Sequence, residues 1–161
     1  MEKEIKGKLD EIFARHKEGQ QRIAEAQDAA KRDCAEFLAQ FKKVREAIIR
    51  PAMEEIKSYV EQKGYRASIS EEEDKESDHR FGSDSRASIQ LAIYPGESGG
   101  HDRPCFTATC DKHSKKVSLH ERTMWGSRGG HAGGAGEFSL PEVTEKLLQE
   151  KMLKWLSEIF R

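Results

Sequence analysis

No apolar run in this sequence has the length or flanks of a signal peptide or a membrane-spanning helix, so a bilayer is not its expected solvent. Cysteine is scarce. Cys34, Cys105 and Cys110 are an odd number, which excludes a complete disulfide framework and points to free thiols in a reduced, cytoplasmic setting. Cys105 and Cys110 lie at an odd separation on one expected strand, so their side chains face opposite sides and do not pair. An excess of one charge is missing too. With 28 basic and 29 acidic side chains the net charge is −1, which removes any global argument for nucleic acid or an anionic membrane as partner.

Signatures of catalysis are also lacking. Gly-x-Ser-x-Gly is absent, and Gly126-Ser127-Arg128-Gly129 has no strand-to-helix run to make a nucleophile elbow. The glycines from Gly129 to Gly136 carry no Gly-Lys-Ser/Thr, which excludes a phosphate loop. His101-Asp102, Asp111-x-His113, His120 and the two nearby cysteines are all metal-capable, yet none has the spacing of a zinc site. Neither a metal nor a cofactor is expected, and no residue is assigned a catalytic role.

What is present is a seam. Ile5, Leu9, Ile12, His16, Gly19, Ile23, Ala26, Ala30, Cys34, Phe37, Phe41, Val44 and Ile48 follow one another at steps of three or four. That period predicts an amphipathic, coiled-coil-like helix over residues 1–50, supported by acid-to-base pairs four apart such as Glu4/Lys8 and Glu11/Arg15. Two consecutive steps of four near Ala30 mark a stutter, after which the seam turns from alanine-rich to aromatic. Ile23, Phe37, Phe41, Val44 and Ile48 are therefore the expected partner-binding residues, facing either a second copy in a homo-oligomer or another protein. With Leu9, His16, Ile23 and Ala30 at heptad a, the g positions hold Lys8, Arg15 and Arg22 and no e position is acidic. Charge alone does not favour a parallel self-pair.

Pro51 interrupts the pattern and is expected to kink the helix or open a new one running to about Lys63, with Gly64 as its cap. From Tyr65 the period becomes alternating. Four strands are expected, around Tyr65–Ile69, Ala87–Ile93, Phe106–Cys110 and Val117–Glu121, the last two forming a hairpin. The acidic stretch 71–85 and the glycine-rich stretch 125–136 read as mobile loops. Ser139-x-x-Glu142 has capping-box spacing, with Phe138 and Val143 as a hydrophobic staple, ahead of a final helix to about Phe160.

These elements predict an α+β chain: a helical arm over 1–50, then a compact α-β-β-β-β-α domain over 51–161 with an antiparallel sheet. The functional reading is a non-enzymatic protein–protein interaction or assembly module working through its N-terminal helix. A nucleic-acid-binding adaptor is the first alternative, because Arg122, Trp125, Arg128 and His131 join cations to a stacking aromatic in a glycine-rich loop. A small hydrolase with an unrecognised site is the second.

Overall fold

The computed structural model describes residues 2–76, 85–95, 103–125 and 129–161. Its order is α1 (Lys3–Val44), a π-helical turn (Arg45–Ile49), α2 (Arg50–Gln62), five strands and α3 (Glu145–Ile159). The strands are β1 (Arg66–Glu72), β2 (Ser88–Tyr94), β3 (Cys105–Asp111), β4 (Lys116–Arg122) and β5 (Ala132–Phe138). They form one antiparallel sheet in sequence order. The fold is the expected α+β type, with one more strand than the sequence suggested.

Two compact units make up the chain, Met1–Glu36 and Phe37–Arg161, so the division falls well before residue 50. Phe37 and Phe41 explain why. Both are buried in the core of the second unit, Phe41 completely, together with Ile49, Met53 and Val60.

Pro51 does not break the helix. It lacks an N–H and its ring crowds the carbonyl four residues back, so an unbroken α-helix through it would be strained. The chain instead widens one turn just before it, and the Arg50 N–H reaches back five residues to the Arg45 carbonyl. The wide turn also changes which residues face inward. Phe37, Phe41, Arg45, Ile49 and Met53 are all buried at strict steps of four, whereas a plain α-helix would carry such a series around its surface by about 40° per step. Val44 and Ile48, expected on the seam, are half-buried at its margin. Arg45 and Ile49 occupy the centre.

Arg45 is 4% exposed, and the strand end above it supplies its partners. Its guanidinium donates to the Glu72 and Ser88 carbonyls at 3.3 and 3.4 Å and to Glu73 Oε1 at 2.9 Å, with Glu71 Oε2 at 3.5 Å. Lys42 reaches Glu73 at 3.2 Å and Arg50 pairs with Glu71. Residues 71–76, expected in a mobile loop, are thus engaged: Glu71 and Glu72 end β1, and Lys75 bridges to Ser85 through paired backbone bonds. Residues 77–84 of that stretch lie outside the described residues.

The sheet buries one face. Ile89, Leu91 and Ile93 of β2, Phe106, Ala108 and Cys110 of β3, and Val117 and Leu119 of β4 point to the helices with little or no exposure. Alternate positions such as Ser88, Gln90, Thr107, Thr109 and Ser118 form the half-exposed opposite face. Cys105 and Cys110 sit on opposite faces of β3, as their spacing predicts. From α3, Leu148, Met152, Trp155 and Ile159 close the core, with the Trp155 Nε1–H donating to the Arg122 carbonyl at 2.9 Å. Helix α3 starts later than its capping-box spacing predicts. Ser139 and Glu142 do bond to each other, but around a single 3₁₀ turn, and the true cap is Thr144, whose Oγ1 accepts from Leu147 N at 3.2 Å.

The glycine-rich stretch expected to lack regular structure is in part β5. It pairs with β4 from Val117↔Phe138 to Arg122↔Ala132, with one extra residue between Leu119↔Gly136 and His120↔Gly134. That bulge is the reason for glycine at 136. Its φ is +118°, and a Cβ there would lie 2.7 Å from the Phe138 ring.

Three outcomes follow from this packing. Arg45→Ala removes a buried donor from several part-buried acceptors at once and is expected to destabilise the second unit by about 3 kcal/mol in urea unfolding. Arg45 and then Lys42 donate to Glu73 and hold its carboxyl below the ordinary range. Burial alone would raise Glu71, but the Arg50 and Arg45 guanidiniums outweigh it and it too titrates low. A carboxyl lowered on folding contributes its stabilisation fully above the ordinary value of 4.5 and loses it as pH falls through the folded value. Urea stability should therefore drop below about pH 4.5, and less steeply in Arg45→Ala. Gly136→Ala should cost about 2 kcal/mol by the same assay through its backbone conformation, while Gly133→Ala, with open space at its Cβ, should cost less.

Candidate functional site

In the unit ending at Glu36, every described residue except Gly19 and Cys34 is exposed. Its apolar seam lies in the open: Ile5 is 49% exposed, Leu9 37%, Ile12 59%, Phe13 67% and Ile23 55%. The Glu4–Lys8 pair closes at 3.3 Å but is itself wet, so it adds only a few tenths of a kcal/mol. Of the residues expected to bind a partner, Ile23 is accessible. Phe37 and Phe41 are core residues, and Val44 and Ile48 pack against that core.

The residues expected to contact nucleic acid gather at one end of β4 and β5, though not as a basic loop. Arg128 lies outside the described residues. Trp125 is half-buried against the core with its ring edge-on to Phe160 at 6.0 Å, and Phe160 stacks in turn on Tyr65 at 4.9 Å. Arg122 is half-buried at the end of β4. Lys112, a cation close in sequence, is tied to Asp74 at 2.8 Å and Glu76 at 3.1 Å, contacts that hold it protonated well above the usual lysine range.

His131 is surrounded by acids. Its Nε2 lies 3.1 Å from Glu121 Oε1 and 3.4 Å from Glu158 Oε2. Each comes from a different element: Glu121 from β4, Glu158 from α3, and His131 from the residue before β5. Glu121 holds an inward-facing position on β4, in register with Phe106, where alternation calls for an apolar side chain; it is 8% exposed. Glu158 Oε2 is buried without a hydrogen bond. Beside these groups a cavity of about 200 Å³ is lined by Thr123, Gly129, Gly130, His131, Glu158 and Arg161.

Thr123 fixes the imidazole. Its Oγ1 accepts the His131 N–H at 2.9 Å, lies 3.3 Å from the His131 carbonyl and is 3.3 Å from Nδ1. A hydroxyl has one hydrogen and two lone pairs, so it can serve the His131 main chain and the ring nitrogen together. Nε2 is the ring atom turned to the carboxylates, within hydrogen-bonding distance of Glu121 Oε1. Gly130 permits the close approach: a Cβ there would lie 2.7 Å from Thr123 Oγ1 and 2.8 Å from Met124 N. The order hydroxyl, imidazole, carboxylate superficially suits nucleophilic catalysis. Thr123, however, is 7% exposed and its hydroxyl is committed to the His131 main chain, so it presents no nucleophile.

The thiols are equally quiet. Burial pushes Cys110 up to about 11 and raises Cys105, keeping both protonated and poorly nucleophilic near neutrality. The acid–histidine group escapes sequence inspection because its members stand ten and twenty-seven residues apart and meet only once β5 pairs with β4. One signal was legible: a glutamate at an inward strand position. No helix among the described residues is long and apolar enough to cross a membrane. Comparison of the chain with protein-family models, with curated proteins and with solved structures finds no match.

Proposed function

We propose that this protein is a non-enzymatic interaction and assembly module, in which residues 2–36 pair with the same segment of a second copy. The observation that carries this reading is the run of large apolar side chains, Ile5, Leu9, Ile12, Phe13 and Ile23, left in water along one helix. Fully burying such a side chain contributes about 1.5–3 kcal/mol, and most helices in proteins depend on packing of this kind for their stability. Leu9 and Ile23 stand at heptad a, Ile5 and Ile12 at d. Twofold self-pairing is the commonest assembly that covers such a stripe. Three cysteines that form no disulfide fit a reducing, cytoplasmic setting.

A second reading rests on charge. Lys8, Arg15 and Arg22 at g find no acidic e residue in their own sequence, which favours an acidic helix from another protein. A nucleic-acid role draws less support, since Glu121 and Glu158 surround His131 and Trp125 is packed against Phe160.

Sedimentation of the full chain at micromolar concentration tests the self-pairing. A dimer is expected, and Ile12→Lys combined with Ile23→Lys should convert it to a monomer with the melting of the second unit unchanged. A chain beginning at Phe37 should also be monomeric. A monomeric wild type removes the second copy as occupant and leaves the acidic foreign helix.

A further inference from the structure

We infer that Glu121, His131 and Glu158 form a binding site for one divalent transition-metal ion of the zinc class. The three candidate ligand atoms lie within 4.8 Å of one another and come from β4, the residue before β5 and α3. In a tetrahedral site with bonds of about 2.0–2.2 Å, neighbouring ligand atoms are roughly 3.3–3.6 Å apart. The imidazole nitrogen already stands 3.1 and 3.4 Å from the two carboxylate oxygens.

Electrostatics asks for a cation at this point. Two carboxylates converge on the single ring nitrogen Nε2 of His131, so a cation placed among the three groups would be attracted by both negative charges. Glu121 stands in a row of core side chains, and Glu158 Oε2 has no hydrogen-bond donor. A metal ion satisfies all three groups together. Thr123 then acts as the outer partner that fixes ring orientation and tautomer, the usual support for a ligating histidine. The mixed nitrogen and oxygen donor set favours zinc-like ions over magnesium or calcium, which prefer oxygen alone. The adjoining cavity leaves room for a water as fourth ligand. Such an ion would tie β4 and the residue before β5 to α3.

The test uses the full chain, stripped with a chelator and titrated with zinc against a chromophoric competitor, with melting followed in parallel. One zinc per chain and a raised Tm are expected, with no comparable rise from magnesium. Glu158→Gln keeps the side-chain shape and should weaken zinc binding at least as much as the roughly 10–100-fold typical of an outer-shell change; His131→Ala should do the same, and Thr123→Val should weaken it about 10-fold. Zinc binding that Glu158→Gln and His131→Ala leave unchanged would place the ion elsewhere and overturn the site. So would an equal response to magnesium, which would mark only clustered acidity. A wild type that binds no zinc would overturn the site outright.

Discussion

A proline that cannot donate a hydrogen bond sets the geometry of the second unit. Pro51 forces the preceding turn to widen, and the widened turn holds Phe37, Phe41, Arg45, Ile49 and Met53 on one side of the helix. Arg45 then meets the ends of β1 and β2 with its planar fork of donors, taking two backbone carbonyls and the carboxylates of Glu71 and Glu73. Lysine could not do this, having one compact charge in place of several fixed N–H directions. A run of acidic residues that would otherwise repel one another is held in this way at the edge of the sheet.

The opposite end of the sheet handles buried charge differently. Around Arg45 the cation is at the centre with acids about it; around His131 two acids converge on a single ring nitrogen. Each arrangement holds one buried polar atom without a hydrogen bond, Arg45 Nε in the first and Glu158 Oε2 in the second. The first sets a cation among acceptors, whereas the second sets two acceptors against one nitrogen and so suits an added cation.

Much of the fold was legible in the sequence because its signals are periodic. Alternation located β2, β3 and β4, and Gly64 ends α2 with φ +94° as a cap should. What escaped was non-local. Arg45 stands beside the seam, next to Val44, and reads as a surface residue until the wide turn brings it inward. β5 has almost no side chains from which to read a period, and its order comes from pairing with β4 and from a bulge that only glycine accommodates. Ser139 carries the capping-box spacing in sequence, yet a 3₁₀ turn intervenes and Thr144 caps α3. The acid–histidine group depends on all of these elements being in place, so no local pattern could have announced it.

The wide turn takes up one residue more than ordinary winding would. One residue corresponds to about 100° of rotation on an α-helix, and the wide turn absorbs that rotation. Loss of a single residue between Val44 and Arg50 would therefore let the helix wind normally with Met53 and Val60 still on the side that holds Phe37 and Phe41. Gain of one has no second wide turn to absorb it and would swing them away. Along this segment, then, the helix geometry absorbs a deletion more readily than an insertion.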